Sequence, residues 1–122
     1  MASIKPLQAF AANSDNRDGW IVTWSNMQNG DIGVAPTDLI GFADHTVQVE
    51  GTFGAGGTCQ ILGSLDNINN RQLTDPQGNL LNIVSPAIKQ VTEACLYMIP
   101  KISSGDGTTN LTVTALFRRT KI

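Results

Sequence analysis

Three stretches of this 122-residue chain carry apolar residues at every second position, and that alternation limits the fold more than any other feature. In "LTVTALFRR", Leu111, Val113, Ala115 and Phe117 fall on one side, against Thr112 and Thr114. "HTVQVEGTF" sets Val47, Val49 and Phe53 against Thr46, Gln48, Glu50 and Thr52. "WIVTWSNM" sets Trp20, Val22 and Trp24 against Ile21, Thr23 and Ser25. A period of two is that of a pleated strand with one face buried, whereas a helix needs about 3.6 residues per repeat.

The remaining chain supplies shorter strands and the turns between them. "TCQILGSL" puts Cys59 and Ile61 opposite Gln60 and Leu62, and "LLNIVS" reads as a short strand. "EACLYMIPKIS" predicts a strand with Ala94, Leu96, Met98 and Ile102 on one face and Pro100 near its end or at a sheet edge. Ser85 as cap and Pro86 at the first position predict one helical turn through Gln90. Asn29-Gly30, Asp75-Pro76-Gln77-Gly78 and "SGDGTTN" are turn signals. Many short strands cut by such turns predict an all-β fold, an antiparallel β-sandwich or barrel. Residues 1–18 lack periodicity and read as an extended N-terminal arm, leaving 19–122 as one domain.

"GTFGAGGTC" presents the main ambiguity, because glycine-rich loops can hold a phosphate or turn a hairpin. A phosphate loop needs a lysine after the glycines and a helix whose N-terminus faces the anion. Here Thr58 follows Gly57, and "TCQILG" alternates like a strand. Gly54, Gly56 and Gly57 are therefore read as a hairpin tip.

Charge and composition narrow the function. Charged residues are only 15% of the chain, against roughly 25% in an average soluble protein. A surface so poor in charge suits a protein largely covered by partners. Net charge is −2, which offers no general attraction for nucleic acid. Arg118, Arg119 and Lys121 form a terminal basic cluster, read as a solvated end or as a pairing site for acidic groups on a neighbour. No apolar run approaches the roughly 20 residues of a membrane helix, and the opening residues do not resemble a signal peptide. Cys59 and Cys95 read as small buried hydrophobes, with a bridge between facing strands as the alternative.

No catalytic set emerges. His45, the sole histidine, has no nucleophile spaced to use it and reads as a solvated residue at a strand start. Glu50 and Glu93, the only glutamates, fall in predicted strands and read as facing water or a neighbour. Asp66, Asn67, Asn69 and Asn70 lack the spacing of a calcium loop and read as a turn held by side-chain-to-backbone bonds. Two cysteines and one histidine cannot close a zinc site unaided. The expectation is a protein with no cofactor, no metal and no enzymatic activity. Trp20 and Trp24 could stack on a sugar or a base if exposed, but read better as core or interface mass.

"NGDIG", "HTVQVEGTFGAGGTCQILGSLDN", "LTDPQGNLL" and "TEACLYMIPKISSGDGTTNLTVTALFRR" together resemble small structural proteins of tailed bacteriophages, most of all the capsid decoration, or cement, proteins. The resemblance runs from about Trp20 to Arg119, and its motifs are turns between strands. It implies a β-sandwich, often of jelly-roll type, on the outer surface of the assembled head. It also implies major capsid protein as partner, bridging of neighbouring capsid subunits, and self-association as dimer or trimer. Ile4, Leu7 and Phe10 of the arm, with Arg118 and Arg119, are the expected partner-binding residues. A protein of this kind is made in the host cytoplasm and resides in the virion. A tail or connector subunit and a carbohydrate-binding sandwich are the alternative readings.

Overall fold

The computed structural model describes residues 4–5, 8–13, 16–36 and 42–119, with side chains from Gly19 onward. In chain order the strands are β1 (Ile4–Lys5), β2 (Gln8–Asn13), β3 (Asn16–Met27), β4 (Ile32–Gly33), β5 (Asp44–Thr52) and β6 (Thr58–Ser64). They continue with β7 (Arg71–Gln72), β8 (Asn82–Ile83), β9 (Ala87–Gln90), β10 (Tyr97–Ser104) and β11 (Asn110–Arg118). One sheet runs β2-β3-β11-β5-β9; the other runs β1-β4-β10-β6-β7, with β8 also paired to β6. All pairings are antiparallel except β1 with β4. A single apolar cluster takes side chains from both sheets, so the fold is the β-sandwich that the alternation predicts.

The chain passes from one sheet to the other and then retraces its path. β3 neighbours β11, β4 neighbours β10, β5 neighbours β9, and β6 neighbours β7 and β8. The expected faces hold along β11, where Leu111, Val113, Ala115 and Phe117 are all fully buried. Val47 and Val49 from β5 and Cys59 and Ile61 from β6 complete the same core.

A bulge corrects the phase of β3. Val113 pairs with Trp24 but Leu111 pairs with Met27, so three residues on β3 span two on β11. Asn26 absorbs the extra residue at φ 58°, a left-handed conformation that asparagine tolerates. Strict alternation would aim Asn26 inward. The bulge turns it to solvent and buries Met27 instead.

Three local expectations are corrected. Residues 87–90 form the edge strand β9 rather than a helical turn, because β5 offers Thr46 to Val49 as pairing partners. The strand predicted from Glu93 begins only at Tyr97; Ala94 is exposed and Cys95 buried instead, while Met98 and Ile102 are buried as expected, together with Ile99 and Pro100. Pro100 is mid-strand, and β10 lies between β4 and β6. The sheet accommodates it by orientation. Ile102, two residues on, donates to the Asp31 carbonyl and accepts from Gly30 N–H, so this parity faces the β4 side. β4 is only two residues long, and its Gly33 has no side chain to meet the proline ring.

Candidate functional site

The glycine hairpin lies at one end of the sandwich, and its partner is another loop. Gly54 and Gly56 take φ values of 72° and 70°, the left-handed region expected of a hairpin tip. The neighbouring β10–β11 turn sends Asp106 across. Ala55 N–H donates to Asp106 Oδ2 at 2.9 Å, and Thr108 donates to Oδ1 through its amide at 2.9 Å and its hydroxyl at 2.7 Å. Thr109 Oγ1 donates to the Phe53 carbonyl at 2.7 Å, and Ser104 Oγ donates to the Gly56 carbonyl at 2.7 Å. The loop does bind an anion, but that anion is the protein's own carboxylate.

This network holds the Asp106 carboxyl at about 2, chiefly through the Thr108 hydroxyl and the Ala55 amide. A depressed carboxylate stabilises the fold fully above its unfolded value near 3.8, and the contribution disappears as pH falls through about 2. The interlock should therefore persist at pH 4. Asp106→Ala is expected to speed amide exchange at Ala55 and Thr108 by more than about tenfold while β3–β11 amides keep their protection. Unchanged exchange at Ala55 would show that the two loops are independent.

The other candidate polar residues also have structural partners. Asp66 accepts from the amides of Ile68 and Asn69 at 2.9 Å each, and Ser64 Oγ accepts from Asn67 N–H, which makes the asparagine-rich loop the predicted side-chain-held turn. Glu93 lies outside any strand, contrary to expectation, and grips Thr74: its Oε1 accepts from the amide at 2.8 Å and its Oε2 from the hydroxyl at 2.6 Å. Glu50 is exposed and accepts from Gln48 Nε2. Cys59 and Cys95 are free and buried, with burial pushing their thiols up to about 12 and about 11. Trp24 is fully buried and donates from Nε1 to the Val34 carbonyl at 2.9 Å, while Trp20 packs partly buried against the core.

His45 departs most from expectation. It is fully buried rather than solvated, because its place on β5 shares the inward parity of Val47 and Val49. Its ring meets Phe117 edge-on at 4.4 Å.

The expected partner-binding residues are distributed unevenly. Arg118 donates from Nε to Asp44 Oδ2 at 3.0 Å, and the Arg119 guanidinium lies 5.2 Å over the Phe42 ring. Ile4 pairs in register with Ile32, and Phe10 with Ile21, so the backbone of the expected arm joins both sheets. Leu7 lies outside the described residues.

A further surface feature lies in the stretch from the end of β6 to β9. Among the described residues, the five most exposed large apolar side chains all fall between residues 65 and 88: Leu65 (69% exposed), Ile68 (79%), Leu80 (55%), Val84 (63%) and Ile88 (65%). Leu65 and Ile68 occupy the β6–β7 loop, Leu80 and Val84 flank β8, and Ile88 is on β9. Glu93 on Thr74, with Thr92 N–H on the Thr74 carbonyl, ties the segment after β9 to the Thr74–Leu80 bridge between β7 and β8. The clue in the sequence was the apolar residues left over once the inward parity of each strand is assigned.

No protein-family model and no curated protein matches the chain. Among solved structures, the crystal structure of the SPBc2 prophage-derived protein YomS is similar, with a TM-score of 0.50 and 15% identity over 90% of each chain. At that identity the likeness is one of fold.

Proposed function

We propose that this chain is a structural protein of a bacteriophage virion, of the capsid decoration or cement type. In this reading it binds the assembled head from outside and bridges neighbouring major capsid protein subunits by adhesion, without chemistry. The carrying observation is the exposure of five large apolar side chains, Leu65, Ile68, Leu80, Val84 and Ile88, on and beside β7, β8 and β9. Single exposed hydrophobes are ordinary, but five within residues 65–88 of a charge-poor chain suit burial against protein. Binding only the assembled lattice stabilises it by mass action.

Two further observations support the reading. The nested pairing of β3 with β11, β4 with β10, β5 with β9 and β6 with β7 and β8 supports the jelly-roll form of the sandwich. The similar fold of a prophage-derived protein supports a phage origin. Self-association as dimer or trimer accords with the closed symmetries of a shell. The full burial of Trp24 and the packing of half-buried Trp20 on the core favour this reading over the glycan-binding alternative.

Copy number in purified particles of the encoding phage tests the proposal. Roughly hundreds of copies per particle are expected of a shell protein, against about a dozen or fewer for a connector. A connector-like count, or absence from particles, would remove the decoration role. A double change, Leu80→Asp with Val84→Asp, should empty the shell of the protein and leave its melting transition intact. Normal occupancy would put the contact elsewhere.

A further inference from the structure

The fold buries one titratable ring and gives it nothing to bond. His45 has no solvent exposure, and neither Nδ1 nor Nε2 has a hydrogen-bond partner among the described residues. A backbone group of Phe42 favours the charged ring, less than burial opposes it, but falls short of hydrogen-bond geometry. A neutral imidazole therefore leaves one donor and one acceptor idle, and an imidazolium would leave two donors and a charge.

The surroundings are arranged as a closure. His45 sits where β5 begins and β11 ends, edge-on to Phe117. Its carbonyl accepts from Val91 N–H at 3.1 Å, which fastens the chain leaving β9. Outside it, Asp44 holds Arg118 and Phe42 underlies Arg119. The charged groups on the elements packed around it are thus Asp44, Arg118, Arg119, Lys89 of β9 and Glu93, and Glu93 is committed to Thr74. Of these charges only Asp44 favours a positive ring, and its effect is smaller than that of the Phe42 backbone or of burial.

We propose that His45 is an acid-sensitive latch: uptake of one proton by its ring opens residues 42–45 and 117–119 at this end of the sandwich, ahead of the rest of the fold. The proton comes from solvent and no bond other than N–H is made. Burial holds the closed ring down to about 4, while an exposed ring titrates at its ordinary 6.5. Between those values the open form binds the extra proton, so stability of the closed form rises with pH and falls on acidification. Each pH unit from 6.5 down to 4 should weaken closure about tenfold, and outside that window the dependence disappears.

Native-state amide exchange, corrected for intrinsic rates, reads this directly. Protection at residues 44–46, 91 and 116–118 should be lower than at β6 and β10 at every pH, and should fall about tenfold per unit from pH 6.5 to 4. The single histidine gives one unambiguous imidazole resonance, which should not titrate in the closed state until near pH 4. His45→Leu should flatten the pH dependence. Equal protection at these residues and at β6 and β10 would mean global unfolding alone and overturn the latch. So would an unchanged slope in His45→Leu. Should that variant fail to fold, the wild-type resonance still decides, since titration near 6.5 in the folded protein would mean an accessible ring.

Discussion

Gly57→Ala should lower the thermal midpoint by roughly 10 °C or more, while Gly56→Ala, one residue away, should cost only a few degrees. The two glycines serve different physical needs. Gly56 has a φ of 70° and open space where a Cβ would go. Alanine there suffers only the left-handed backbone penalty of about 1–2 kcal/mol. Gly57 is buried, and a Cβ on it would run into the Phe53 carbonyl, whose carbon lies 2.6 Å away. The obstacle is backbone, so no rotamer change relieves it. Phe53 cannot retreat cheaply either, because its carbonyl accepts from Thr109 across the interlocked turns. Overpacking against a fixed backbone costs about 3 kcal/mol or more, a large share of ordinary domain stability. Calorimetry of the two variants side by side checks the contrast. Equal losses would mean that only backbone conformation matters in this loop.

That contrast marks how far the sequence could be read. The hairpin was legible because alternation resumes at Thr58 and no lysine or helix follows the glycines. The Asp66 turn was legible because short polar side chains satisfy the backbone within two or three residues. Asp106 on Ala55 was not, since 51 residues separate them and nothing local announces the contact. His45 fell on the inward parity of its own strand, but its polarity suggested solvent. Only the partner strand, which brings Phe117 opposite, shows that the ring is enclosed. For Ser85 to Gln90, local helix-start chemistry pointed one way and sheet pairing with β5 won, as it can for a run too short to be a stable helix. The exposed apolar residues needed the fold as well, because Leu80 and Val84 differ from Leu81 and Ile83 only by parity.

The second large effect is expected where β4 meets the core. Trp24→Ala should cost about 3–5 kcal/mol, the range for removing a fully buried large ring. The more informative variant is Gly33→Ala. A Cβ at Gly33 would stand 2.6 Å from Pro100 Cδ and 2.8 Å from Trp24 Cδ1 and Nε1. Both neighbours are rigid rings in buried positions, and Trp24 is further fixed by its bond to the Val34 carbonyl. Neither can swing aside, so the added methyl should cost about 1–3 kcal/mol. In a Trp24→Phe background the indole nitrogen and its hydrogen bond are gone, and one side of the clash opens. Gly33→Ala should then cost less, with a coupling of at least about 0.5 kcal/mol in a double-mutant cycle followed by urea denaturation. Strict additivity would show that Pro100 alone sets the limit. In that case the glycine serves the proline in β10, and the tryptophan is held by the remainder of the core.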